Sequence, residues 1–576
     1  MPTHSIDTRA LLLRTSVFGD LPEDVLVSVA DRMQPCALQG GHVLFGAGDP
    51  CDALYVLHSG SIGLFRTPRS GGAPHLAGLL SNGETLGTTG LLLGQAHEST
   101  ARALRDTQLM RLSRKDFERL IDQHPQAILG AAQTALRNLL KRGGDEPRLL
   151  PRTFAILPFD DAIHARELAE QLRHALLPFG NCLLIDAPLG HGHGPAWFAE
   201  REAEMRFVLY VDDGHNAAWR ALCRRQADTL LMVTRADREP APWPDQPALA
   251  EHADLERPRH LILLHPGKSI VPGAARNWRK AVPGITHHHH VRNINDIQRV
   301  ARLLARRSLG LVLSGGGARG FAAIGVLRAL HEKGYDIDLV GGTSIGAIIA
   351  AGMALQWDHK QMHANYRAAF IDSRPLSDWT VPLVALCRGE RTSRLLQRFF
   401  GDLDMEDLPI PFFCVSSDLT RGIAAVHRQG PLWLWLRASC AIPGILPPVL
   451  HEGRVYVDGA VINNLPVDVM YDRGVATILA CDIRADDVLV TDLERAWQPR
   501  AWRQWLQRDR QPGVASILLR AGMVNAENIA NQRRELATQV FSPQLDAIGL
   551  LDFKSFDRVI EAGYRSAIES LAEPLG

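Results

Sequence analysis

The apolar positions of this chain of 576 residues fall into short runs, and the rhythm of those runs changes along its length. Within residues 1–145, Gly40-Gly41-His42-Val43-Leu44-Phe45-Gly46-Ala47-Gly48-Asp49 and Leu54-Tyr55-Val56-Leu57-His58-Ser59-Gly60-Ser61-Ile62-Gly63-Leu64-Phe65 read as short strands parted by glycine turns. That pattern predicts a β-barrel or jelly roll, and a helical period follows over 113–124. Within 150–300 the runs at 154–157, 182–186, 207–211, 229–233 and 260–264 are unbroken and are separated by helical patterns such as 162–177. Unbroken runs belong to strands covered on both faces, so this stretch predicts a parallel α/β sheet. Within 308–484 the run 309–314 leads through a glycine cluster into a helical pattern over 321–331, and Leu339-Val340 precedes a second one over 347–355. Residues 485–576 are expected to be mainly helical. The alternation of Leu432-Trp433-Leu434-Trp435-Leu436 fits a core strand, with a membrane-contacting stretch as the alternative.

Composition removes several function classes. Lys and Arg total 63 and so do Asp and Glu, so no global field points to nucleic acid. The eight cysteines are scattered without a C-x-x-C pair, which argues against a disulfide framework or a cysteine zinc site and favours a reducing compartment. No G-x-x-x-x-G-K-[ST] string supports nucleotide hydrolysis. His287-His288-His289-His290 reads as a polar connector before Arg292, because four consecutive histidines cannot converge on one ion from a regular element. No apolar run approaches the roughly 18 residues of a spanning helix, and the first residues lack a signal-peptide pattern. The expectation is a cytoplasmic protein, peripheral at the inner face of the membrane, with no metal or organic cofactor.

Candidate chemistry centres on Gly342-Thr343-Ser344-Ile345-Gly346, set between a strand pattern and a helix pattern. A G-x-S-x-G pentad needs small neighbours because a sharp strand-to-helix turn must lift the serine hydroxyl clear of the backbone. Upstream, Ser314 runs into Gly315-Gly316-Gly317-Ala318-Arg319-Gly320, where successive glycines let N–H groups crowd toward one point at a helix start. A dinucleotide fingerprint is the rival reading of Gly315, Gly317 and Gly320. It needs an acidic residue ending the second strand, whereas Asp336 and Asp338 precede that strand and the serine turn ends it. Downstream, Val455-Tyr456-Val457-Asp458-Gly459-Ala460 puts a carboxylate at the end of a strand pattern, read as a carboxyl edge of a parallel sheet. Within hydrogen-bond reach of Ser344 it can act as general base. No histidine follows Asp458, which argues against the Ser…Asp…His order, and His427 and His451 read as ordinary polar histidines.

The motifs GGGARG, GTSIG and DGA in this order resemble the patatin-like phospholipases, and among them the bacterial relatives of neuropathy target esterase. Arg437-Ala438-Ser439-Cys440-Ala441-Ile442-Pro443-Gly444 with Pro447-Pro448-Val449, Ser417-Asp418-Leu419-Thr420 and Asn463-Asn464-Leu465-Pro466 extend the resemblance over 308–484. It implies an α/β hydrolase-type domain in which Ser344 is nucleophile, Asp458 is base and Gly315, Gly316 and Gly317 form the oxyanion hole. Arg319, Gly320, Gly342, Gly346 and Gly459 complete the motifs. Residues 1–145 resemble a cyclic nucleotide-binding domain, yet Thr88 stands where that family places a ribose glutamate and His97 or Glu98 where it places a phosphate arginine. Cyclic nucleotide is therefore not expected to bind, with Arg102 as the one substitute donor. The middle stretch resembles the linker of the esterase family, with its W-x-x-x-C-x-x-Q-A-D string at 219–228.

The expected domains are thus 1–145, cyclic nucleotide-binding-like; 150–300, an α/β linker; 308–484, patatin-like and catalytic; and 485–576, helical. The expected function is hydrolysis of carboxylic esters of phospholipids or lysophospholipids through a Ser-Asp dyad and an acyl-enzyme. The alternative is a ligand-sensing or protein-contact regulatory protein whose hydrolase fold is inert.

Overall fold

A computed structural model describes residues 7–15, 17–66, 75–80, 82–126, 152–160, 163–243, 258–381, 383–483, 533–545 and 548–572. The chain divides into two compact units, Met1–Lys268 with Asn277–Ala301, and Ser269–Arg276 with Arg302–Gly576. Of the stretch expected to be mainly helical, residues 485–532 lie outside the described residues.

In the first unit the glycine-parted runs form eight strands: β1 Gln34–Leu38, β2 Val43–Phe45, β3 Ala53–Ser59, β4 Ile62–Arg66, β5 His75–Leu80, β6 Thr85–Leu86, β7 Thr100–Ala103 and β8 Thr107–Ser113. They make two antiparallel sheets in the orders β1-β8-β3-β6 and β2-β7-β4-β5, which is the expected jelly roll. The helix Arg114–Gln123 follows, its first turn capped by the Ser113 hydroxyl on the Asp116 N–H.

Six parallel strands build the second layer of this unit: β9 Thr153–Pro158, β10 Cys182–Ile185, β11 Phe207–Val211, β12 Thr229–Arg235, β13 Arg259–Leu264 and β14 His287–Val291, in the order β10-β11-β9-β12-β13-β14. The last strand corrects the expected polar connector, because the four histidines pair in register with β13. His289 Nε2 lies 3.0 Å from His260 Nδ1 and His265 Nε2 lies 2.8 Å from His290 Nδ1, so imidazoles satisfy imidazoles. Burial lowers the pKa of His265, the residue after β13, to about 4.

A buried ion cluster joins the jelly roll to this sheet. Arg105 bonds Glu202 and lies 3.3 Å from Asp228, whose carboxylate also accepts from Ser61 at 3.0 Å and from the Thr153 N–H at 3.2 Å. Burial alone would lower the Arg105 pKa, but Glu202 and Asp228 carry it above its ordinary value.

The second unit is an eight-stranded sheet of β15 Leu309–Leu313, β16 Leu339–Thr343, β17 Phe412–Asp418, β18 Ile423–His427, β19 Val449–His451, β20 Arg454–Asp458, β21 Thr477–Cys481 and β22 Gln539–Phe541. The path is β19-β20-β17-β16-β15-β21-β22, with β18 also on β17. The strands from β17 through β22 along this path are parallel, while β18 and β20 run antiparallel to β17. Helices Ala322–Glu332 and Phe556–Ser570 pack closely enough that a Cβ at Gly325 or Gly563 would strike the partner backbone. Leu432–Ser439 is a helix, which corrects the expected strand. Its alternation was of leucine with tryptophan, not of apolar with polar; Leu432, Trp435, Leu436 and Ser439 are buried at helical spacing. Among the described residues no helix is long and apolar enough to cross a membrane.

Replacing Arg105 by Ala leaves two buried carboxylates without their cation, and a loss of about 3–5 kcal/mol from the first unit is expected. Thermal denaturation of R105A should show a markedly lowered first transition; an unchanged melt would show that the cluster contributes nothing net.

Candidate functional site

Two strand ends and one antiparallel neighbour bring the predicted residues together. β16 ends at Thr343, and Ser344 then occupies a single sharp step before the helix Ile345–Ala354, with φ 56° and ψ −129°. A serine held there stores about 1–3 kcal/mol of backbone strain, so its surroundings must enforce it. They do so by close packing and by hydrogen bonds. A Cβ at Gly342 would lie 2.6 Å from the Leu313 carbonyl oxygen, and one at Gly346 2.5 Å from that of Ser314, so the turn nests against the end of β15. The Ser344 N–H donates to Ser439 Oγ at 2.9 Å, and that hydroxyl donates to the Val415 carbonyl at 2.6 Å.

Asp458 reaches the serine by a different route from the one the sequence suggested. Its strand β20 is not a parallel strand offering its carboxyl edge; it runs antiparallel to β17, with Asp458 opposite Ser416. Val415 of β17 pairs with Thr343 of β16, so the register delivers the carboxylate beside the serine turn. The Ser344 hydroxyl donates to Asp458 Oδ2 at 2.6 Å, and the Ala460 N–H donates to Oδ1 at 2.9 Å. Asp458 is buried, and burial pushes its pKa up to about 7 against the lowering effect of those two bonds. A carboxyl group poised near neutrality and bonded to a hydroxyl can take up and return that hydroxyl's proton.

The glycine loop lies on the other side of Ser344. A Cβ on Gly315 would sit 3.0 Å from Ser344 Cβ and 2.6 Å from Asn464 Oδ1, so only glycine fits. The Gly315 N–H donates to Asn464 Oδ1 at 3.0 Å, and the Asn464 amide returns a bond to the Gly315 carbonyl at 3.3 Å. The Ala318 N–H donates to the Leu550 carbonyl at 2.7 Å, and buried Arg319 donates to the Ile548 carbonyl. The Gly316 and Gly317 N–H groups have no partner among the described residues. A short 3-10 turn, Gly317–Phe321, leads into the helix Ala322–Glu332, and Gly320 packs against Ile345. Gly459 packs against Thr343, closing the ring of motif residues.

His427 is buried, bonds Ser416 Oγ at 2.7 Å and stacks on Trp435 at 3.9 Å; burial lowers its pKa to about 4. It is a neutral core ring, not a partner of Ser344. Ser439 and Asn464 are the site residues to which sequence reasoning gave no role. Each stood inside a recognised string, but a hydroxyl or amide aimed at a backbone N–H has no signature in residue spacing. Among the described residues no group of three or more His, Cys, Asp and Glu side chains is placed to hold a metal ion.

In the jelly roll, the positions the sequence singled out have contacts of their own. His97 stacks on Phe45 at 3.5 Å and its pKa is lowered by burial, Thr88 bonds Thr85 at 3.2 Å, and Glu98 lies 3.6 Å from Arg66. Arg102 lies 5.8 Å above the Phe65 ring. In the parallel sheet, the residues after β9 read Phe159-Asp160-Asp161-Ala162-Ile163-His164, without the glycines or lysine of a phosphate-binding loop.

Comparison with known proteins agrees with this layout. Residues 311–471 match the family model described as patatin-like phospholipase, 35–124 match the cyclic nucleotide-binding domain, and 151–310 match the neuropathy target esterase family P-loop like domain. Human patatin-like phospholipase domain-containing protein 6 is 28% identical over 624 residues, covering 93% of this chain and 45% of the human protein, so the chain spans under half of that relative. The N-terminal domain of a transcriptional regulator from Streptomyces coelicolor A3(2) is 26% identical over 23% of this chain and 92% of its own, at a TM-score of 0.21. An uncharacterized NTE family protein of Mycobacterium bovis is 30% identical over 599 residues, 99% of this chain and 97% of its own. With a patatin-like region preceded by the P-loop like and cyclic nucleotide-binding-like regions in one chain, and a relative matched nearly end to end, this protein belongs to the neuropathy target esterase (NTE) family.

Proposed function

We propose that the chain is a serine esterase that hydrolyses carboxylic ester bonds of phospholipids or lysophospholipids. The observation that carries this reading is the 2.6 Å bond from the Ser344 hydroxyl to a buried carboxyl group with its pKa near 7, beside two unengaged glycine amides. The family match to patatin-like phospholipases supports a lipid ester as substrate.

In this mechanism Ser344 Oγ attacks the ester carbonyl while its proton passes to Asp458 Oδ2. The carbonyl oxygen becomes an oxyanion, which the Gly316 and Gly317 N–H groups receive; Gly315 is already engaged by Asn464 and shapes the loop instead. Collapse expels the alcohol, which takes the proton from Asp458. Water then gives its proton to the same carboxylate and attacks the acyl group, and Ser344 leaves with that proton. One carboxyl group serves both halves, which requires it to be ionised at rest and easily protonated.

Ser344→Ala and Asp458→Asn are each expected to lower turnover of a lysophospholipid or a short p-nitrophenyl ester at least about a thousandfold with the protein folded. A folded Ser344→Ala variant with unchanged turnover would return the inert-fold reading. In the wild type, kcat/KM should rise with pH along a limb centred near 7 and level off above it. Stability runs the other way. The folded-state pKa of Asp458 lies above its unfolded value, so the native state holds the extra proton and stability is lost as pH rises from about 4 to about 7. At roughly 1.4 kcal/mol per pKa unit the loss reaches about 4 kcal/mol. Melts of D458N against wild type should therefore diverge in favour of the variant as pH rises through that window; parallel curves would contradict the raised pKa.

Ser439→Ala removes the acceptor that fixes the Ser344 N–H. We expect kcat to fall about ten- to a hundredfold, with KM nearly unchanged and the midpoint of the pH limb in place. An unaltered kcat would assign Ser439 to packing alone.

Cyclic AMP and cyclic GMP at micromolar concentration should leave both the ester rate and the melting temperature unchanged. A ligand present at a hundred times its Kd would add about 2.7 kcal/mol, a shift plain in any melt. One-to-one calorimetric binding would overturn this expectation and make Arg102 the first residue to replace.

A further inference from the structure

Four of the five most exposed large apolar residues described in the second unit lie together on one small hairpin, the fifth being Leu450 on β19. Trp379 is 66% exposed, Val381 72%, Leu383 89% and Val384 69%. Scattered surface leucines are ordinary, but four large apolar side chains within six residues are not. The hairpin is also firmly rooted. Trp379 and Cys387 form an antiparallel bridge, the Thr380 N–H donates to the Leu386 carbonyl at 2.9 Å, and Cys387 packs in a buried cluster with Ile445 and Leu446. Its apolar tip is thus held outward by a base that has already buried its own share.

The root of the hairpin is bonded to the segment that holds Ser344 and Asp458. The Leu386 and Cys387 N–H groups donate to the Gly444 and Ile445 carbonyls, each at 2.9 Å. A few residues earlier on that segment, Ser439 fixes the Ser344 N–H and the Ala441 carbonyl accepts from the Asp458 N–H at 2.9 Å. One stretch of chain, 439–445, therefore carries the apolar tip on one side and both reacting residues on the other.

Charge around the tip points to its occupant. No carboxylate occurs from Trp379 through Cys387, and the hairpin is flanked by exposed Arg374, Arg388 and Arg391. Of the nearby acids, Asp378 accepts from the Arg391 N–H at 3.1 Å and Glu390 is paired with Arg394 at 2.7 Å; exposed Asp372 lies further back. An apolar tip containing a tryptophan, collared by arginines, suits a surface with an oily interior and anionic headgroups.

We propose that the hairpin around Trp379–Leu386 inserts into the surface of an anionic lipid bilayer and seats the mouth of the Ser344 site on it. The inference rests on the esterase reading for its purpose, because a lipid-borne ester must leave the bilayer near Ser344, while the binding itself is independent of catalysis. It replaces the Leu432–Leu436 stretch as the lipid-facing candidate, since that stretch lies largely in the core.

The test uses the full chain and three readouts. The first is co-sedimentation with vesicles of phosphatidylcholine with and without phosphatidylglycerol; the second is hydrolysis of phospholipid in those vesicles; the third is hydrolysis of soluble p-nitrophenyl butyrate. The expected result is that wild type binds anionic vesicles, that Leu383→Asp and the triple variant W379S/L383S/V384S bind at least about tenfold more weakly, and that Arg388→Gln weakens binding only to vesicles containing phosphatidylglycerol. The hairpin variants should lose vesicle hydrolysis in proportion while keeping the soluble-ester rate within about twofold, since they touch no reacting group. Vesicle binding by L383D equal to that of wild type would overturn the proposal. So would light scattering that showed wild type as an oligomer and L383D as a monomer without any vesicle binding by either, which would make the tip a contact for a second copy. Should wild type bind vesicles through the hairpin yet hydrolyse neither substrate, the esterase reading alone would fail.

Discussion

A carboxylate buried with two hydrogen bonds and no cation beside it among the described residues is the constraint around which the second unit is organised. Asp458 tolerates this because its charge is only half committed near neutral pH. The Ser344 hydroxyl is one of the two donors that make the ionised form bearable, so the serine and the carboxyl group are tied to each other's states. An arginine placed nearby would have steadied the fold, and it would also have drawn the carboxyl pKa down and removed its capacity to accept a proton at the pH where the protein works.

The same economy of contacts explains the glycines. The serine turn, the end of β15 and the glycine loop approach so closely that several Cβ positions fall on carbonyl oxygens or on the serine itself. In that packed setting a strained Ser344 backbone persists because every alternative would collide with something. The first unit shows the converse. It keeps the jelly roll and the P-loop like sheet, while the positions the sequence singled out are a histidine stacked on Phe45, a threonine bonded to Thr85 and an arginine over Phe65. The buried Arg105 cluster gives the jelly roll a structural task in the same unit.

Much of this was legible in the sequence, for definite reasons. Unbroken apolar runs name strands buried on both faces, and glycine strings between them mark places where backbones meet, so the strand, turn and helix around Ser344 and around Gly315–Gly317 could be anticipated. What could not be read depends on register or on charge state. The antiparallel direction of β20 follows from pairing with β17, which no local pattern encodes. The histidine strand β14 was hidden because a titratable residue scores as polar, whereas a histidine in a strand can pair its ring nitrogen with that of another histidine. The helix Leu432–Ser439 was mistaken for a strand because leucine and tryptophan are both apolar and their alternation carries no facing information. Ser439 and Asn464 act on backbone N–H groups at separations of 95 and 149 residues, beyond any spacing argument.

The clamp on the glycine loop has a bearing on how the site comes into being. Arg319 and Ala318 are tied to the carbonyls of Ile548 and Leu550, and Arg319 spans 229 residues of chain to make its bond. Synthesis from the N-terminus delivers the serine turn and its carboxylate long before these last partners exist. Loop closure over such a distance is slow and entropically costly, so the nascent second unit carries Ser344 beside a glycine loop that is not yet clamped. Closure of the glycine loop beside Ser344 is thereby coupled to synthesis of the residues around 550, and a nascent unit with Ser344 and Asp458 already translated still has that loop untied.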